Sequence, residues 1–327
     1  MIRRRQFITL LGGAAAALPP VARAQPTMPI VGFLSGASSW EFAHVADAFR
    51  QSLADTGFVE GRNVLIEYRW AEGRYDRLPT LVGELIRRGV AVIVATGGVA
   101  SVLAAKAATT SIPIVFANGG DPVKLGVVER LNRPGGNITG ATFFNNALGP
   151  KRLQVLRDLA PKAAVIALLV NPANPNTELD VHEIDTAARS LGIRILRVNA
   201  GSERDFDQAF ATMAEQGVGA LVINADAFFF ARRDQLIELA TRLAVPTIYE
   251  QREFATAGGL MSYGASIAEA YRKAGIYTGR ILRGEAPGDL PIQQATRFEL
   301  VINLKAAKAL RLEMPPTLLA LADEVIE

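Results

Sequence analysis

Three pairs of short apolar runs recur in the same order along this chain, and that repetition limits its fold more than any other feature. Ile30–Gly36 (IVGFLSG) is echoed by Val165–Asn171 (VIALLVN). Gly89–Thr96 is echoed within Gly217–Asp226, and Ile112–Phe116 by Val245–Tyr249, all at nearly one spacing. Unbroken apolar runs of this length are strands covered on both faces, as in a parallel sheet flanked by helices. Two such sets in tandem predict two similar doubly wound α/β lobes rather than one long sheet. A length of 327 residues suits two domains.

The segment Gly89–Pro122 shows the unit best. Val90–Ala95 and Ile112–Ala117 read as strands, and Ala-rich Val99–Ala108, free of Gly and Pro, as the crossover helix between them. Thr96-Gly97-Gly98 and Asn118-Gly119-Gly120-Asp121 then lie at the carboxyl ends of those strands, where open α/β sheets bind ligands.

Along the rest of the chain, Val64–Ala71, Ile138–Phe144, Ile193–Val198, Ala220–Asn224, Pro246–Tyr249, Gly258–Tyr263 and Phe298–Leu304 read as further strands. Helices are expected at Phe42–Thr56, Tyr75–Arg88, Val123–Leu131 (capped by Asp121), Pro150–Leu159, Thr177–Leu191, Glu203–Gln216, Ala231–Ala244 and Ile267–Arg283. The strand Gly258–Tyr263 is expected to return the chain to the first lobe. Lobe 1 is then residues 28–143 plus 263–290 and lobe 2 residues 144–262 plus 291–327, with crossings near Phe143, Tyr263 and Pro291. Several hinge strands allow closure about a cleft while resisting twist.

Met1–Ala24 has a basic start, an apolar stretch from Phe7 to Leu18 and Ala22-Arg23-Ala24 before Gln25, the pattern of a signal peptide cleaved after Ala24. Arg4-Arg5-Gln6-Phe7 matches a twin-arginine signal; a general secretory signal with an incidental Arg cluster is the alternative. Export to the periplasm follows from either. The stretch is shorter than the about 20 residues a membrane helix needs, so the mature chain is not expected to be membrane-embedded. The formal charge of +3 hints at nucleic acid, but removing four arginines from 35 basic residues leaves 31 against 32 acidic ones, and the hint disappears. With no cysteine, thiol catalysis and a lipid-modified cysteine are excluded. His44 and His182 have only Glu41 and Glu178 as metal-type partners at helical spacing, and there is no nucleophile elbow, Walker loop or zinc-protease motif, so no metal, cofactor or catalytic site is expected.

Asp55–Val64 (DTGFVEGRNV), Ile112–Phe116 (IPIVF), Gly120–Val123 (GDPV), Asn132–Gly140 (NRPGGNITG) and Phe298–Asn303 (FELVIN) together resemble the substrate-binding proteins of ABC importers, in the family whose better-known relatives take up tryptophan or tyrosine. The resemblance spans nearly the whole mature chain. It implies the type I periplasmic binding fold, two Rossmann-like lobes joined by hinge strands. It also implies capture of a small organic solute, such as an amino acid or aromatic acid, for a membrane permease and its ATPase. A sensor subunit of the same fold and an exported α/β enzyme are the alternatives.

A type I cleft gathers strand-end loops from both lobes. From the first come Ser35, Ser38, Ser39, Trp40, Thr96, Gly97, Gly98, Asn118 and Gly119, whose hydroxyls and glycine backbone suit a carboxylate. From the second come Asn171, Asn174 and Asn176, stiffened by prolines, with Asp226, Phe228 and Glu250, and Tyr263 joins them from the second crossing. Asp226 can pair with a ligand ammonium or cap the helix after it. The asparagines can reach ligand or close Asx-turns, and the aromatics can stack on a flat ligand or anchor the core.

Overall fold

The computed structural model describes residues 28–327. The signal peptide, its twin-arginine motif and its cleavage site lie outside the described residues. The strands are β1 (Ile30–Ser35), β2 (Leu65–Trp70), β3 (Val92–Thr96), β4 (Ile114–Asn118), β5 (Ile138–Thr142), β6 (Val165–Val170), β7 (Arg194–Asn199), β8 (Ala220–Ile223), β9 (Thr247–Tyr249), β10 (Met261–Ala265), β11 (Gln293–Gln294), β12 (Phe298–Asn303) and β13 (Glu324–Ile326).

They form two sheets, one in the order β11-β5-β4-β3-β1-β2 and the other β13-β12-β10-β9-β8-β6-β7. The first is parallel throughout. In the second only β10 and β12 are antiparallel. The sequence repeat is therefore a repeat of topology: β1, β3 and β4 hold the same places in one sheet as β6, β8 and β9 in the other. The strands β3, β4 and β5 are buried along their whole length, which their unbroken apolar and small residues permit only under helices on both faces.

Each lobe borrows chain from the other. After β5 the chain passes through Phe143–Asn145 to the helix Gly149–Leu159 of the second lobe. The helix Ile267–Leu282 follows β10 but packs in the first lobe, against Ala43–Asp55. There Gly275 allows close approach, since a Cβ at that position would stand 2.0 Å from Ser52 Oγ and 2.5 Å from the Phe49 carbonyl oxygen.

Three expectations change and one short helix is added. The strand Gly258–Tyr263 is shifted to Met261–Ala265 and stays in the second sheet, held between β9 and β12, so the passage to the first lobe begins only after Ala265. The third passage begins later than Pro291, because Gln293–Gln294 still pairs with β5 of the first sheet. Val123–Leu131 is a succession of turns and not a helix. Gly126 there takes φ +65°, and the backbone N–H groups of Val127 and Val128 both return to the Pro122 carbonyl. Asp121 still accepts from Val123 and Lys124 N–H, closing a turn. The helix expected over Ala231–Ala244 is Arg233–Leu243, and a short helix not expected from the sequence, Ala227–Ala231, precedes it, separated because Arg232 leaves helical ψ. The break lets Phe228–Phe230 and the stripe Leu236, Ile237, Leu239 and Ala240 all reach the core.

Candidate ligand-binding site

The carboxyl ends of both sets of parallel strands face a narrow gap between the lobes. The lobes meet around it. Phe42 and Phe230 pack edge to face with ring centroids 4.7 Å apart, Tyr75 Oη donates to Asp226 Oδ2 at 3.0 Å, and Lys124 Nζ lies 2.6 Å from Glu183 Oε1.

On the first lobe's wall, Gly97 (φ +66°) turns the chain after β3 so tightly that a Cβ there would lie 2.4 Å from Ser35 Oγ. Gly98 is the N-cap of the helix Val99–Ala108 and supplies no capping side chain. The first N–H groups of that helix are thus left for other acceptors, and their dipole favours an anion. Gly97, Gly98, Val99 and Gly119 form this wall, with Phe42, Phe143, Ile267 and Tyr271 as its apolar part. Burial pushes the pKa of the Tyr271 hydroxyl up to about 12, with Thr96 and the Gly97 backbone pulling it back.

The second lobe's wall is made of acceptors. Asn174, Asn176, Asp226, Glu250 and Gln251 all line it. Asp226 Oδ1 accepts from the backbone N–H of Phe228 (2.8 Å) and Phe229 (3.3 Å) and from Asn171 Nδ2 (3.2 Å). Its Oδ2 accepts from Tyr75 and from Asn174 Nδ2 at 2.8 Å. Burial raises the Asp226 pKa, and these donors pull it back. Glu250 Oε1 takes the Asp226 N–H at 3.2 Å, while Oε2 has no donor among the described residues. Burial pushes Glu250 up to about 8, against the downward pull of Arg152. Asn176 Oδ1 and Gln251 Oε1 are enclosed and have no donor among the described residues. Asn176 Nδ2 donates to Asp180 Oδ1 at 2.7 Å, which fixes the orientation of that amide.

Behind this wall lies Arg152, fully buried on the helix Gly149–Leu159. Its Nη2 donates to the Asn145 carbonyl (2.6 Å), on the first passage, and its Nη1 to the Tyr263 carbonyl (3.1 Å), on β10 just ahead of the second. Asn145 Oδ1 accepts from Ala265 N–H at 2.8 Å and its Nδ2 donates to the Glu250 carbonyl at 3.4 Å, completing the tie.

Residues 30–326 match the family described as ABC transporter substrate binding protein. The chain belongs to that family. This ABC substrate-binding protein is 24% identical over 265 residues to the tyrosine-binding protein of Clostridioides difficile strain R20291, covering 81% of this chain and 76% of the relative. It superposes on a conserved domain protein from Vibrio cholerae with a TM-score of 0.84 at 23% identity. An ABC domain from Streptococcus pneumoniae in complex with L-Trp gives 0.83 at 22%. Each structural match covers 91% of this chain and 99% of the other. These likenesses show the type I periplasmic binding fold.

In this substrate-binding protein Gly97, Gly98, Gly119, Asn174, Asn176, Asp226 and Glu250 line the gap as the sequence places them. Others of the expected set lie beneath or away from it. Ser35 Oγ accepts from Ala37 N–H, Thr96 Oγ1 donates to the Leu34 carbonyl, and Asn118 Oδ1 accepts from Gly120 N–H; all three support the loops from below. Asn171 holds Asp226, and Ser38 is buried outside the lining. Ser39 is exposed, and Trp40 is 71% exposed at the rim, where Arg233 lies 6.0 Å from its ring centre. Phe228 stacks on Phe206 in the core at 5.4 Å, and Tyr263 sits half-buried beside Phe298. Sequence reasoning missed Phe42, Phe143, Gln251, Ile267 and Tyr271. Ile267 and Tyr271, one helical turn apart just after a crossing, carried a signal that could have been used.

Proposed function

We propose that this ABC substrate-binding protein closes on a free amino acid, with an aromatic side chain favoured, and passes it unaltered to a membrane permease. The observation that carries the reading is the pair of enclosed acceptors without donors among the described residues, Asn176 Oδ1 and Gln251 Oε1, on residues of one wall of a gap whose other wall holds the uncapped start of Val99–Ala108. Buried polar atoms without partners are rare in folded proteins, and a solute with donors at one end and an anion at the other satisfies both walls. The apolar surface of Phe42, Phe143 and Tyr271 suits a flat side chain. The tyrosine-binding and L-Trp-bound relatives support the same class. In this reading the protein works outside the cytoplasm after loss of residues 1–24, and lobe 1 changes to lobe 2 at the three passages.

The test is thermal unfolding with each standard amino acid and with aromatic carboxylates, paired with mass spectrometry of the ligand afterwards. At a hundredfold excess over Kd, binding adds about 2.7 kcal/mol. Recovery of the ligand unchanged supports capture; its conversion to a product would assign an enzyme.

A further inference from the structure

We propose that Glu250, and not Asp226, is the counter-ion for a primary ammonium on the ligand, so that the protein selects amino acids over the same molecules lacking that group. The proposal rests on the reading of the gap as the ligand chamber and adds which end of the ligand is recognised, and by which residue.

Asp226 looks the part in sequence but its valences are filled. A carboxylate offers about four lone-pair directions. Asp226 meets five donors, namely two backbone N–H groups, two asparagine amides and the Tyr75 hydroxyl. A ligand ammonium would have to displace one of them, leaving that donor buried and unpaired.

Glu250 is the converse case. It is 4% exposed and lines the gap, yet receives only the Asp226 N–H, on Oε1. The cation behind it, Arg152, directs both Nη atoms to main-chain carbonyls. The other charged groups facing it are Asp226, after β8, and Asp180, on the helix Thr177–Leu191, and both disfavour its ionised form. A carboxylate in that setting either keeps a proton or takes a cation. An ammonium brings three N–H donors, and the same wall offers three acceptors: Glu250 Oε2, Gln251 Oε1 and Asn176 Oδ1. The ligand carboxylate then faces the start of Val99–Ala108 on the opposite wall.

The test is calorimetric titration of the full protein with L-tyrosine and L-tryptophan, each against its deaminated counterpart, 3-(4-hydroxyphenyl)propanoate and indole-3-propanoate. The wild type should bind each amino acid about ten- to a hundredfold more tightly than its partner, the range expected of one charged hydrogen-bonded contact. Glu250→Gln should shrink that ratio, whereas Asp226→Asn should weaken both members of a pair alike and leave the ratio intact. Equal wild-type affinity within a pair, or an unchanged ratio in Glu250→Gln, overturns the assignment while the capture reading stands. The wild-type comparison needs no variant to fold. If neither these ligands nor any other standard amino acid bind, the capture reading falls and the assignment with it.

Discussion

The Tyr75 hydroxyl donates to Asp226 Oδ2 at 3.0 Å, and the two side chains belong to opposite lobes. The bond exists only while the lobes are together, so it favours the shut form whatever lies in the gap. Tyr75→Phe removes the donor without changing the ring. Ligand release should quicken and affinity should fall by about 1 kcal/mol, roughly fivefold, in stopped-flow and equilibrium titrations. Unchanged release would mean that the bond contributes nothing to closure.

Arg152→Met should be far more costly. It leaves the Asn145 and Tyr263 carbonyls without their buried donor and removes the cation facing Glu250 and Asp180. Losing one side of a buried charged network costs about 3–5 kcal/mol. Urea unfolding monitored by circular dichroism measures it, and a loss below about 1 kcal/mol would show that the tie is not stabilising.

Acidity should act through Glu250. Its pKa is about 8 in the folded protein against an ordinary 4.5, so between those values the folded state holds a proton that the unfolded chain has released. This contribution to stability is fully present below pH 4.5 and is lost as pH rises toward 8. Glu250→Gln abolishes the titration. The melting temperature of the wild type should therefore drop relative to the variant across that window in the absence of ligand. Parallel curves would mean that Glu250 titrates normally.

Gly275→Ala should push apart the helices Ala43–Asp55 and Ile267–Leu282, because the added carbon would overlap Ser52 and the Phe49 carbonyl. Overpacking of this kind costs about 1–3 kcal/mol. The second helix also carries Ile267 and Tyr271 to the gap, so ligand affinity should fall with stability, as titration of the folded variant would show.

How much of this was legible in sequence varied with how local the cause was. The helix Thr177–Leu191 and the equivalent strands β1 and β6 of the two sheets could be read from their own residues, since a buried strand is apolar along its length and Gly192 ends the helix in the left-handed region. Val123–Leu131 misled because its apolar spacing imitates a helix, while Gly126 and the return to Pro122 decide otherwise. In sequence Asp226 suits an ammonium partner and a helix cap equally. It caps Ala227–Ala231, and the donors that fill its second oxygen come from Asn174 and from Tyr75 in the other lobe. Trp40 has the composition of a binding loop but projects outward to Arg233. Phe143 enters the gap only because the chain changes lobes beside it, and no local pattern announces that, whereas Ile267 and Tyr271 at least share one face of their helix.

Arg152 ties the first passage, at Asn145, to the strand that leads into the second, at Tyr263, with one planar group, so the first strap and the root of the second are held together. The third is fastened at its start, where Ala295 N–H donates to the Thr142 carbonyl. Lobes tethered in this way are left one axis on which to swing, much as a door moves on stacked pins. A solute that meets the walls at either extreme of that arc then meets them in a fixed orientation.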